Sequence, residues 1–231
     1  MPSAKVPRGE QRRILRESTE FDQVGPPGPM AELFDKIKGY RGWFNLDDCS
    51  TFHTLLSYQT ATGIKGDLLE IGSYHGRSTA VLANCLGSGE RIIVCDAFEA
   101  DTEDPYSDRP SPELLRGNVT AVNPNLPEES LDIHACLSNE LKLEPGLQLR
   151  FAHIDGGHSE EIAYSDLELC APHITPSGIM VLDDYDHAMF PGVTLAAKRF
   201  LAEHPEFTVF ADLNRHGAIG RKLYMVKRPS T

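Results

Sequence analysis

No apolar run in the sequence approaches the ~18 residues of a membrane-spanning helix, and residues 1–30 hold no continuous apolar segment of the kind a secretory signal needs. Basic residues are also few. Lys and Arg number 22 against 34 Asp and Glu, a formal net charge of −12. Phosphate surfaces are bound by clustered Lys and Arg, so this balance argues against a broad nucleic-acid or anionic-membrane face. The five cysteines (Cys49, Cys85, Cys95, Cys136 and Cys170) are odd in number and never fall in C-x-x-C spacing. That pattern argues against zinc and fits a reducing compartment. These absences together point to a cytoplasmic protein with a small-molecule partner.

What remains is ordinary for a globular chain: 231 residues, 40% hydrophobic and 24% charged, enough for one domain with a full core and a short appendage. Residues 1–30 begin basic (Lys5, Arg8, Arg12, Arg13, Arg16) and end in Gly-Pro-Pro-Gly-Pro, which reads as a flexible N-terminal arm. Residues 31–63 read as a helical cap. Leu33, Phe34, Ile37 and Tyr40 recur at helical spacing, Gly42 breaks the run, and Asn45 or Asp47 caps a second helix carrying Phe52, Leu55, Leu56 and Gln59. Trp43 and Phe44, at the break, read as core or lid packing.

From residue 64 to 231 short apolar runs alternate with helical stripes, the pattern of an α/β fold. Strands are expected at Leu68–Ile71, Arg91–Asp96, Leu131–Cys136, Gln148–Asp155, Ile179–Leu182, Phe207–Ala211 and Leu223–Lys227. The acidic, proline-rich segment at 99–112 is expected as a surface loop on the carboxyl edge of the sheet, and Pro172–Gly178 as a second loop.

Two of these strands end in acid: the run to Ile154 at Asp155, and the run to Leu182 at Asp183 and Asp184. The carboxyl ends of parallel strands form the ligand crevice of an open α/β sheet. Three carboxylates there are costly unless a cation or proton lies between them. A divalent ion at Asp155, Asp183 and Asp184, with His158 beside it as a base, is the direct reading. His153 reads as a core histidine or one that supports the ligands. His75 and His187 remain alternative bases.

The first strand supplies the cofactor signal. It runs into Glu70-x-Gly72-x-x-x-Gly76-x-Ser78, followed by a helix from Arg77. Glycines permit a tight turn and close approach of a ligand, and a helix N-terminus favours negative groups. A dinucleotide fingerprint, G-x-G-x-x-G, is missing, because Tyr74 stands where its second glycine would be. The pattern resembles motif I of class I S-adenosylmethionine-dependent methyltransferases. The resemblance spans about residue 60 to the C-terminus. It implies a Rossmann-like sandwich on a seven-stranded, mostly parallel sheet with an antiparallel last strand. It further implies a cofactor site at Glu70, Gly72, Ser73, Gly76, Ser78, Asp96, Ser138 and Asp155, with Asp96 on the ribose hydroxyls and Ser138 at the adenine.

Within that family, His153-Ile-Asp-Gly-Gly-His158 and Leu182-Asp-Asp-Tyr185 resemble the metal-dependent O-methyltransferases of natural products and sugars, and share an acid arrangement with catechol O-methyltransferases. The resemblance implies Mg²⁺ on Asp155, Asp183 and Asp184, with His158 as general base. A related, macrocin-type branch places an acid two positions after the first ligand; Gly157 stands there, which favours His158. A phenolic acceptor near pKa ~10 and a histidine near ~6.5 differ by roughly 3.5 units, about 5 kcal/mol, and a bound cation would close part of that gap. Family members commonly dimerise, so a homodimer is implied, though no stretch marks an interface. The competing readings are a metal-independent N- or C-methyltransferase of the same fold and a cofactor-binding module without catalysis. An oxygenase would need two histidines and a carboxylate on facing positions, and no such set stands out.

Overall fold

Every apolar run expected as a strand is built into one sheet in the computed structural model, which describes residues 28–98, 110–214 and 220–229. In chain order the elements are α1 (Pro29–Ile37), α2 (Leu46–Ala61), β1 (Asp67–Ile71), α3 (Arg77–Asn84), β2 (Ile92–Asp96), α4 (Pro112–Val122), β3 (Leu131–Ala135), β4 (Leu149–Ile154), α5 (Glu160–Cys170), β5 (Ile174–Tyr185), α6 (Pro191–Glu203), β6 (Phe207–Asn214) and β7 (Arg221–Lys227). The sheet order is β3-β2-β1-β4-β5-β7-β6. β1 to β5 pair in parallel, and β7 lies antiparallel between β5 and β6. This is the Rossmann-like methyltransferase sandwich. The expected arm at 1–30 falls almost wholly outside the described residues, as does most of the loop at 99–112.

The central strands are buried on both faces, as parallel strands covered by helices must be. Alternation along each strand splits the core in two. Leu68, Val94, Phe151, Val181 and Tyr224 face α1, α2, α3 and α4. Ile71, Cys95, Ala152, Met180 and Leu223 face α5 and α6. Of the two caps considered for α2, Asn45 is used. Its side chain accepts from Asp48 N and the Asp48 carboxylate accepts from Asn45 N, each at 3.0 Å, closing a reciprocal capping box.

One expectation is corrected. Pro172–Gly178 is not a loop between α5 and β5, because β5 already begins at Ile174. Ile174 pairs with Leu149 and Ile179 with Phe151, so the residues between them bulge out of an otherwise continuous ladder. Pro176, which cannot donate to a ladder, and Ser177 at φ 64° sit in that bulge.

Candidate active site

The turn after β1 is shaped by how close β4 comes. A Cβ on Gly72 would lie 1.8 Å from the carbonyl oxygen of Asp155, and Gly72 has φ +79°, so only glycine suits the position. Asp155 N donates to Ile71 O at 2.8 Å, joining the two strand ends where the expected cofactor and acid sites meet. The Asp96 carboxylate grips the turn from β2. Its Oδ2 accepts from Ser73 N at 2.7 Å and Tyr74 N at 2.8 Å, and its Oδ1 from Phe98 N at 2.7 Å. A carboxylate offers about four lone-pair positions, so Asp96 is first of all the post around which the turn is wound. Gly76 caps α3 at φ +80°, with Leu115 and Val119 against it, and Ser78 is buried in the first turn of that helix. Ser138 lies just after β3, close enough to the buried Asp166 to lower its carboxyl pKa against the rise that burial causes.

Glu70 stands behind this turn rather than in it. It is 0% exposed; Thr79 donates to its Oε2, and His153 Nδ1 lies 2.9 Å from its Oε1. Its partners therefore place it as a brace between α3 and β4.

His153 continues a buried chain of contacts that the sequence reading did not contain. Its Nε2 lies 3.1 Å from Lys222 Nζ, and Lys222 donates in turn to Asp183 Oδ2. With an ammonium facing Nε2, the consistent tautomer is Nδ1–H donated to Glu70 and Nε2 accepting from Lys222. The rings of Phe44 and Phe52 each lie 5.7 Å from that ammonium, within cation–π range. Arg77 fixes the segment carrying Phe44: its guanidinium donates to the carbonyls of Lys38 and Gly42 at 2.7 Å each, to Phe44 at 3.2 Å, and to Tyr40. Phe44 and Phe52 thus set their rings against the lysine and histidine of the cluster.

The three expected metal ligands separate into two groups. Asp155 and Asp183 gather with His153, their ligand atoms all within 4.8 Å of one another. Asp184 sits at a bulge of β5, where the register against β7 shifts, at φ 55°, a conformation aspartate tolerates better than most residues, and its Oδ2 lies 3.1 Å from His158 Nε2. The His158 ring lies flat on Phe190, with centroids 3.8 Å apart and planes at 8°. His187 stacks near the same ring at 4.4 Å, and its Nδ1 accepts from Met189 N at 3.1 Å. A Cβ at Gly192 would meet His158 O at 2.7 Å, so α6 is seated directly on the His158 segment.

A divalent ion fits this arrangement poorly. Of the donors at the cluster, Asp183 Oδ2 and His153 Nε2 both face the Lys222 ammonium, and Asp183 Oδ1 accepts from Asp184 N at 2.9 Å.

Burial and neighbouring acids together disfavour the charge on Asp155. The Asp155 carboxyl is pushed up to about 7, first by burial and then by Asp183, with Lys222 and His153 pulling the other way and Asp184 adding to the rise. An unfolded aspartate titrates near ~3.9, so between the two values the native state holds a proton that the unfolded chain has lost. This contribution is complete below the unfolded value and is lost as pH rises through the folded one. Asp155→Asn should therefore raise the melting temperature at pH 8 by several degrees, and the gain should vanish toward pH 4. Calorimetric melts across that range check it.

Sequence reasoning missed Lys222, Phe190 and the bracing role of Arg77. Lys222 carried half a signal: two positions before Tyr224, it falls on the same core-facing side of a strand, but its meeting with Asp183 depends on β7 lying beside β5. Phe190 carried no signal, since it meets His158 only through the packing of α6.

Residues 69–185, just over half of the chain, match the methyltransferase-domain family. Comparison with curated proteins finds no match. Among solved structures, the O-methyltransferase NovP is 17% identical over 86% of this chain and 88% of its own, with a TM-score of 0.64. CalS11, a TDP-rhamnose 3'-O-methyltransferase of calicheamicin biosynthesis, is 18% identical over 96% of both chains, with a TM-score of 0.62. TomG, an O-methyltransferase from Streptomyces achromogenes involved in tomaymycin synthesis and solved with S-adenosylmethionine, is 13% identical over 97% of this chain and 100% of its own, with a TM-score of 0.61. At such identities these likenesses are of fold. With the family match and the strand order, they make the chain a member of the class I S-adenosylmethionine-dependent methyltransferases.

Proposed function

We propose that the chain transfers a methyl group to a hydroxyl of a small natural-product, sugar or polyphenol acceptor, with His158 as the general base. The carrying observation is the His158–Asp184 pair at 3.1 Å, clamped on Phe190 beside the strand end where Asp155 meets Gly72. When bound, S-adenosylmethionine supplies an electrophilic methyl on a sulfonium. The turn after β1 is the place we assign to it, wound on Asp96 with Gly72 and Gly76 in left-handed conformations. The chain's own task is to hold the acceptor oxygen in line and remove its proton.

With Nε2–H given to Asp184, Nδ1 is the basic nitrogen of the ring. It would take the acceptor proton as the acceptor oxygen displaces the methyl carbon from the sulfonium sulfur, which leaves as a neutral thioether, and the Asp184 carboxylate would stabilise the imidazolium, as an acid does in a catalytic triad. Support for oxygen as the acceptor atom also comes from the likeness to CalS11, NovP and TomG, all O-methyltransferases. Mg²⁺ at Asp155, Asp183 and Asp184 was the form suggested by the motif, and the engagement of Asp183 by Lys222 weighs against it.

Incubation with methyl-labelled cofactor and a panel of sugar and polyphenol acceptors tests the reading. Mass spectrometry should show a methyl ether. Label on nitrogen or carbon, or no cofactor binding by calorimetric titration, would refute it.

A further inference from the structure

We propose that the Lys222 ammonium is the resident cation of the acid cluster, so that methyl transfer here proceeds without a divalent ion. The inference rests on the proposed reaction only for its activity arm. Lys222 is 0% exposed, bonded to Asp183 Oδ2 and 3.1 Å from His153 Nε2. Those two residues, with Asp155, are the same donors that converge within 4.8 Å. The place a metal would take is therefore filled by a cation tethered to β7.

Three features make this cation hard to displace. His153 has both ring nitrogens engaged, by Glu70 and by Lys222. Phe44 and Phe52 wall the ammonium at 5.7 Å each. Expelling Lys222 to admit an ion would strand a charge against those rings without its counter-ion, which is strongly unfavourable in a buried site. Mg²⁺ also prefers a near-octahedral oxygen shell with several waters, and an aromatic wall and an imidazole offer neither.

The lysine also reaches the proposed base. Asp183, held by Lys222, accepts from the backbone N of Asp184 at 2.9 Å, and the Asp184 side chain holds His158. Lys222 is thus a positioning residue, acting through Asp183 on the carboxylate that orients His158.

Titration with Mn²⁺, read by electron paramagnetic resonance, tests the occupancy directly and needs no turnover. The wild-type protein should bind no Mn²⁺ at the cluster. Lys222→Ala, which empties the hole and leaves the acids unbalanced, should acquire one Mn²⁺ that Asp183→Asn in the same background removes. Lys222→Met, close in volume, should melt as a folded protein and serves as the control for loss of structure. Stoichiometric Mn²⁺ on the wild type, lost in Asp155→Asn, would overturn the proposal. So would folded Lys222→Ala that gains no Mn²⁺. In turnover assays the wild type should be indifferent to EDTA, and Lys222→Met should lose about 10²-fold in kcat with KM little changed, the scale expected of a misplaced catalytic group. Activity abolished by EDTA and restored by Mg²⁺ would also overturn it. A wild type that methylates nitrogen or carbon would instead refute the proposed function and leave the Mn²⁺ result standing.

Discussion

His158→Ala should lower kcat by about 10²–10⁴-fold, the usual worth of a positioned general base, while leaving cofactor affinity unchanged. Single-turnover assays and calorimetric titration on the same preparation separate the two quantities. Cofactor binding should be spared because the turn is wound on Asp96, whereas His158 is held by Asp184 and stacked on Phe190. Asp184→Asn should give a smaller loss, since the base remains but its orienting charge is gone. Retained turnover in His158→Ala would move the proton to another group. His187 is the nearer substitute by position, on the same Phe190 ring, although its Nδ1 already accepts from Met189 N.

Gly72→Ala should abolish folding or leave a protein that binds no cofactor. The added carbon would fall 1.8 Å from the Asp155 carbonyl oxygen, well inside any real contact, and in a backbone conformation at φ +79° that alanine resists. Neither neighbour can yield cheaply. Asp155 N is bonded to Ile71 O and Gly72 N to Cys95 O, so moving one strand end strains the other two. Circular dichroism on the purified variant and its thermal melt check this. By contrast, a Cβ at Gly89 or Gly146 meets nothing within 4 Å. Alanine there leaves only the backbone cost of positive φ, and those variants serve as folded comparisons.

The reading of Asp183 and Asp184 as one pair of ligands shows where sequence reasoning stops. Adjacent residues on a strand point to opposite faces, so two neighbouring acids join one site only if the strand ends between them. Here it turns instead, with Asp184 at φ 55°, and the pair is divided between a lysine and a histidine. Asp183 lies in phase with His153 and Lys222 on the face toward α2, a juxtaposition made by strands that are distant in the chain.

Local rules settled much of the rest. Runs of four to six apolar residues, glycines where the backbone must turn, and helical stripes between them identified the sheet, the turn after β1 and the acids at strand ends. Each depends on neighbours within a few positions. Which charge neutralises which was decided by the sheet order and register alone. β7 inserts antiparallel beside β5, and only that placement carries a lysine from near the C-terminus into a cluster of acids and aromatics. A buried charge must find its counter-charge across space, and its partner's identity is a property of the packed molecule.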